Sequence, residues 1–321
     1  MEELYNRRNT TSKQRDGIQY IQQNHAAYPQ KLLCYKGMPK GLYVLGKLPD
    51  KTRKSVAIVG ARRSSAYGNQ IAKSFAKELA GAGIQIISGM AWGIDGKAHE
   101  GALEGGGDTY AVLGCGVDIC YPSGHRKIYE AMIQRGGILS EQPPGMPPIA
   151  GHFPARNRII SALSDLVLVV EAKERSGSLI TADLALEQGK DVFAVPGRIG
   201  DEMSKGCLNL IKQGAGLADS PLVLLEALGI ERNVSEKSVK IVLEKNEDIV
   251  YSWIRLQPVS LEELVKKTGF GSREVLFALV GLELKGCIRE MQKNQYVRTD
   301  LRITNGEISG YRGVTSKGEN N

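Results

Sequence analysis

The sequence predicts an α/β protein: a Rossmann-like open, mostly parallel sheet followed by a small C-terminal winged-helix-like domain. Three observations carry this reading. From 56 to 229, short β-branched apolar runs alternate with helical patterns, the spacing of right-handed βαβ crossovers. The predicted strands run into Gly- or Ser-rich turns, GARRSS, SGMAWG, GCG and RSGS, and ligands of such sheets sit outside the strands' carboxyl ends. Beyond 245, three helical patterns and a hairpin pattern follow in winged-helix order.

SVAIVG (55–60) reads as a buried strand, followed by a helix near 68–81 that stops at GAG. IQIIS (84–88) is the next strand, with a helix from Asp95 toward Glu104. TYAVLG (109–114) precedes a helix at about 125–135, and GGILSE (136–141) a Pro-rich loop, QPPGMPP. DLVLVVEA (165–172) is apolar on both faces and is therefore expected at the sheet centre. A helix at 178–188, the strand DVFAVPG (191–197) and helices at 206–213 and 220–228 complete a Rossmann-like domain spanning 55–229. Residues 1–54 are too few and too polar for a core of their own. They are expected to pack on the main domain through Tyr28, Leu32, Leu33, Leu42, Tyr43 and Val44. Residues 230–244 read as a linker. In the winged-helix-like domain (245–299), SLEELVKKTG carries a Ser cap and a Gly stop. The polar, Gly-rich stretch 300–321 is expected to be disordered.

Composition narrows the function classes. The 321 residues are 42% apolar and include five cysteines, with no C-x-x-C pair. Neither a disulfide framework nor a zinc site is expected, and a reducing cytoplasm is. No run approaches 18 apolar residues, and the N-terminus lacks a signal-peptide core. The net charge of +7 is uneven: residues 1–55 hold 11 Lys/Arg against 4 Asp/Glu, 56–229 hold 16 against 18, and 230–321 hold 15 against 13. An anion site in the main domain must therefore come from local clustering.

Such clusters lie at the strand ends. After Gly60 the first turn holds Arg62, Arg63 and Ser64 instead of a G-x-G-x-x-G fingerprint, and the second strand ends at Ser88-Gly89 without a ribose-binding carboxylate. Nicotinamide binding is excluded on these grounds, as is a Walker-type ATP site, and no cofactor is expected. Two guanidiniums and hydroxyls before a helix N-terminus suit phosphate; plain surface solvation of Arg62 and Arg63 is the competing reading. Gly89 and Gly93 permit close backbone approach to a ligand, and Asp95 reads as an N-cap. Asp118 and Tyr121 are further possible contacts, and Arg126 and Lys127 add charge at the next helix start. The densest cluster is Phe153, Arg156, Asn157 and Arg158 before the central strand, with Lys173, Arg175, Ser176, Gly177 and Ser178 after it. As strand-end loops these would form a phosphate track, which Glu171 and Glu174 partly offset. Phe153 is either a base-stacking platform or a buried plug.

The motifs VGARRSSAYG (59–68), SGMAWGID (88–95), GCGVDICYP (114–122), FPARNRIISALS (153–164), VVEAKERSGSLITADLALEQGKDVFAVPG (169–197) and GCLNLIKQGA (206–215) closely resemble the DNA-processing protein A (DprA/Smf) family. The resemblance covers nearly all of 56–229, and 28–48 and 240–298 also look like the family's flanking regions. It implies a cytoplasmic bacterial protein that binds single-stranded DNA, protects incoming DNA and helps load RecA in natural transformation, as a homodimer joined through the Rossmann-like domain. Arg62 or Arg63 would be the family's DNA-contacting arginine. FPARNR and the Lys173–Ser178 loop would be the walls of its basic pocket. His125 stands where the family commonly has Asn, and the helical domain often found upstream has no counterpart here.

Two other function classes use such a fold. One is a sensor of small nucleotides. The other is a nucleoside-monophosphate phosphoribohydrolase, whose P-G-G-x-G-T-x-x-E motif, aligned on Gly177-Ser178, would put Thr181 in place of the glutamate. A hydroxyl cannot act as a carboxylate base near neutral pH, so no catalytic residue and no bound metal are expected. The predicted third helix of the C-terminal domain is close to neutral, which suits a protein-contact module better than a major-groove reader.

Overall fold

The computed structural model describes residues 17–230, 243–255 and 258–298. The chain divides into two compact units, one ending at Arg232 and the other beginning at Asn233. Most of the expected linker (230–244) and all of the expected disordered tail (300–321) lie outside the described residues.

The first unit holds a nine-stranded sheet in the order β1-β2-β6-β5-β4-β3-β7-β8-β9. Its parallel body comprises β3 (Ser55–Val59), β4 (Gln85–Ser88), β5 (Thr109–Leu113), β6 (Gly136–Ser140), β7 (Leu166–Val169), β8 (Asp191–Ala194) and the short β9 (Gly216–Leu217). The fold is the Rossmann-like one read from the sequence. The N-terminal extension does more than cover this body. β1 (Ile18–Gln22) and β2 (Gly41–Gly46) add two strands, with β2 antiparallel to both β1 and β6. α1 (Gln30–Leu33) lies between them. Tyr28, Leu32, Leu42 and Val44 are buried as expected, whereas Leu33 is half exposed because the one-turn helix turns it outward.

Every residue of β3 and β7 is buried, which follows from helices covering both faces. Alternation with period two divides their side chains. Ala57, Val59, Val167 and Val169 pack with Ile159, Ile160 and Leu163 of α5 (His152–Leu163), Ala182 and Ala185 of α6 (Gly177–Glu187), and Cys207 and Leu210 of α7 (Lys205–Lys212). Val56, Ile58, Leu166 and Leu168 face Phe75 and Leu79 of α2 (Ala66–Gly81), Ile94 and Ala98 of α3 (Ile94–Glu104), and Leu224 and Leu225 of α8 (Pro221–Ala227). A third cluster packs α4 (Arg126–Gln134) on β5 and β6. All five cysteines are free. No helix among the described residues is long and apolar enough to cross a membrane.

α5 is the largest departure from the sequence reading, which placed Phe153, Arg156, Asn157 and Arg158 in a strand-end loop. Proline and the string of polar residues suggest a loop, but Pro154 is the third residue of α5. In a first turn the missing N–H has no intrahelical partner to lose.

The second unit contains α9 (Lys245–Trp253), α10 (Leu261–Thr268), α11 (Ser272–Leu284) and a sheet in the order β10-β12-β11, formed by Val259–Ser260, Gln295–Arg298 and Ile288–Gln292. Val250, Leu264, Val275, Leu279, Leu282 and Ile288 form its core. Ser260 caps α10 by accepting the Glu263 N–H, and Gly269 ends the helix with φ 72°. The outer face of α11 leaves Phe277, Val280 and Leu284 exposed.

Candidate functional site

The chain leaves β3 and β7 toward opposite edges: β4, β5 and β6 lie on one side, β8 and β9 on the other. The crevice beyond the carboxyl ends of β3 and β7 is thus the topological switch point, where ligands of such sheets bind. A cleft of about 370 Å³ opens there. Arg62 and Arg63 line it after β3, Lys173, Arg175 and Ser176 after β7, and Phe153, Arg156 and Asn157 from α5.

The first turn is built around an internal anion. Ser65 caps α2 by accepting the Gly68 N–H at 2.9 Å. Glu171, buried beyond β7, accepts the Ser65 N–H at 2.9 Å and the Ser65 hydroxyl. The positive end of α2 therefore already holds a carboxylate, which corrects the expectation that this helix start cradles a phosphate. The same contact keeps the Glu171 carboxylate out of the cleft lining. Ser64 donates to the Asn69 Oδ1 at 2.6 Å. Arg62 and Arg63 project outward, with the Arg62 guanidinium 5.3 Å from the Phe153 ring centre. Phe153 is half-buried, and the Tyr121 ring centre lies 5.6 Å from its own.

The second turn acts as a brace. Ser88 is fully buried and donates to the Ile58 carbonyl at 2.6 Å. Gly93 has φ 77°, and a Cβ on it would stand 2.3 Å from the Ala61 carbonyl oxygen. That close approach seats this turn against the first, and the buried Ser88 and Gly89 are not the ligand-facing groups the sequence suggested. Asp95 is not the N-cap, a place taken by Gly93; it lies in the first turn of α3 and accepts the Gly89 N–H at 3.2 Å. Burial pushes its carboxyl pKa up, against the opposing pull of Arg156 and of the Ala91 and Gly89 N–H groups.

Because α5 is a helix, Arg156, Asn157 and Arg158 point about 100° apart and cannot share one track. Arg156 turns inward and is 7% exposed. It donates to the carbonyls of Gly89, at 2.8 Å, and Val112. Burial pulls its guanidinium down to about 10, with Asp95 opposing. Asn157 faces α6 and reaches the Gly177 carbonyl at 3.4 Å. Arg158 points away from the cleft, donates to both Glu141 oxygens at 2.9 and 2.8 Å, and meets the Gly37 carbonyl at 3.0 Å. Arg156, although it lines the cleft, spends its guanidinium on backbone carbonyls, and Arg158 spends its own on Glu141 outside the cleft, contrary to their expected place on a phosphate track.

The third turn is open. Lys173, Arg175 and Gly177 are exposed, and nothing among the described residues lies within 4 Å of a Cβ placed on Gly177. Ser176 caps α6, with its hydroxyl 2.8 Å from that of Ser178. Met203 joins the lining because the Ala172 N–H holds its carbonyl at 2.9 Å; no local sequence signal marks it. Arg126 and Lys127 are exposed at the start of α4 and outside the cleft, and Arg126 lies 5.7 Å from the Tyr129 ring centre. Asp118 is buried and accepts the Gly145 N–H at 2.8 Å.

The family model for DNA recombination-mediator protein A matches residues 19–229, which include every turn just described. The chain belongs to that family. The DprA winged helix domain model matches 237–292. Protein Smf of Escherichia coli is 40% identical over 270 residues, covering 81% of this chain and 72% of the relative. Among solved structures, the DNA processing protein A of Streptococcus pneumoniae superimposes with a TM-score of 0.63 at 40% identity, over 67% of this chain and 76% of that one. DNA processing protein A of Helicobacter pylori does so with a TM-score of 0.58 at 34% identity, over 66% and 96%; its structure was described for a unique single-stranded DNA binding mode.

Proposed function

We propose that this family member binds single-stranded DNA in the switch-point cleft and serves DNA processing in transformation and recombination. One observation carries the reading: Arg62, Arg63, Lys173 and Arg175 are all exposed, line a single cleft and form no ion pair among the described residues. With Phe153 among them, they offer phosphates a set of cations and a base an aromatic face. Arg126 and Lys127, exposed at the start of α4, would add to the positive charge available to a longer strand. Recognition of this kind discriminates little between sequences. The single-stranded DNA bound by the Helicobacter relative supports the assignment.

The cleft is read as binding without chemistry. Asp95, its lining carboxylate, is buried and already accepts backbone N–H groups. Thr181, 1% exposed, stands where a phosphoribohydrolase would place its glutamate. RecA loading, homodimer formation and a cytoplasmic location rest on the family resemblance. In the second unit, the exposed apolar face of α11 supports the protein-contact reading over DNA reading.

Fluorescence anisotropy with single-stranded and duplex oligonucleotides tests the central assignment. Single strands should bind more tightly, and increasingly so with length. A cleft of about 370 Å³ would also admit a mononucleotide, and an affinity independent of oligonucleotide length would favour that sensor reading. RecA loading is tested by whether the protein lets RecA coat DNA already covered by single-strand binding protein.

A further inference from the structure

The same rim holds another aromatic side chain that the cleft does not use. Trp92 is 54% exposed, although indoles are mostly buried. Its position is set by the backbone on both sides. Met90 adopts φ 55° with its side chain fully buried, and Gly93 has φ 77°. His125 braces the indole, with ring centres 4.6 Å apart and planes at 69°. The buried imidazole is itself anchored by Nδ1, 3.2 Å from the Met90 carbonyl. Gly124 keeps the space beside the indole clear, since a Cβ there would stand 2.4 Å from the indole ring.

This corner is continuous with the cleft in two ways. Ala91, the residue before Trp92, lines the cleft. Tyr121, 43% exposed beside Phe153, begins the short stretch that reaches Gly124 and His125. Arg126 and Lys127 follow it, both exposed. The turns after β4 and β5 thus carry two ring pairs, Tyr121 with Phe153, which Arg62 also meets, and Trp92 with His125, whose chain neighbours Arg126 and Lys127 are exposed.

We propose that Trp92, braced by His125, is a second base-stacking platform for single-stranded DNA, engaging a nucleotide beyond the one at Phe153. This rests on the cleft being a single-stranded DNA site. An exposed indole held by His125 against a fixed backbone offers a sequence-tolerant π-face at little entropic cost.

The protein has two tryptophans, Trp92 and Trp253. In the full-length Trp253→Phe variant, Trp92 is the sole indole reporter. Oligothymidylates of about 4 to about 16 nucleotides, the size range of such grooves, would be titrated while a labelled oligonucleotide reports binding independently. The shortest should bind without quenching Trp92, and the longer ones should quench it. Trp92→Ala should weaken the longer complexes about tenfold and leave the shortest unchanged, while Trp92→Phe restores most of the affinity. Tight binding without quenching at any length, together with an unaffected Trp92→Ala variant, overturns the platform and leaves the cleft standing. Absence of single-stranded DNA binding by the folded protein overturns both.

Discussion

Gly89 and Arg156 are fitted to one another. A Cβ on Gly89 would lie 2.2 Å from a terminal nitrogen of the Arg156 guanidinium, which donates to the Gly89 carbonyl at 2.8 Å. The guanidinium thus fills the space a side chain would need, and it ties α5 to the turn after β4. That relationship separates two classes of arginine in one motif-rich region.

Arg156→Met should lower stability by about 3 kcal/mol in urea denaturation. It would leave the Gly89 and Val112 carbonyls without their donor and Asp95 without its neighbouring cation. An unchanged denaturation midpoint would show that the guanidinium is dispensable to the fold.

Arg62→Ala with Arg63→Ala should do the opposite. Both side chains are exposed, so stability should change by less than about 0.5 kcal/mol. Affinity for single-stranded DNA should fall for all sequences alike, and the salt slope should flatten by about 1 to 2. Retention of wild-type affinity and slope by the folded double variant would remove these residues from the site.

This contrast also shows what the sequence could and could not reveal. The strands, their order along the chain and the Gly- and Ser-rich turns were legible because buried parallel strands are continuous apolar runs. α5 was not, because a proline in a first helical turn looks like a loop. With the helix went the directions of Arg156 and Arg158, since consecutive helical residues diverge. β1 and β2 were hidden by short, polar surroundings. Glu171 was read as a local charge near the cleft; only the pairing of β3 with β7 brings it under Ser65. Residue types marked the region, but which cations face solvent was decided by long-range packing.

His99 should make the fold sensitive to mild acid. It is fully buried, with Nδ1 2.7 Å from the Thr109 hydroxyl, which itself donates to the Ile86 carbonyl. Nδ1 therefore carries the proton, and Nε2 is a buried acceptor without a partner among the described residues. Burial lowers the pKa to about 3 from 6.5, so below pH 6.5 the unfolded chain takes up a proton that the folded one refuses. This contribution is complete above pH 6.5 and is lost as pH falls toward 3, with a slope approaching about 1.4 kcal/mol per unit. In denaturation curves between pH 6.5 and 5, His99→Gln should show a shallower decline than the parent; equal slopes would assign the acid limb to other groups.

Phe277→Ser on the exposed face of α11 should leave single-stranded DNA affinity unchanged, because the second unit is assigned no part in the cleft. Phe277 is 83% exposed, so stability should move by less than about 0.5 kcal/mol. A marked loss of affinity would make α11 a DNA-contacting element.

The Ser65–Glu171 contact joins residues 106 positions apart, and the cleft takes one lip from each side of that join. A nascent chain emerging from the ribosome therefore displays Arg62 and Arg63 long before Lys173 and Arg175 exist to face them. Prematurely terminated products ending ahead of β7 would carry Arg62 and Arg63 but neither Lys173 nor Arg175. Newly made protein should gain its grip on DNA in a single late step of synthesis.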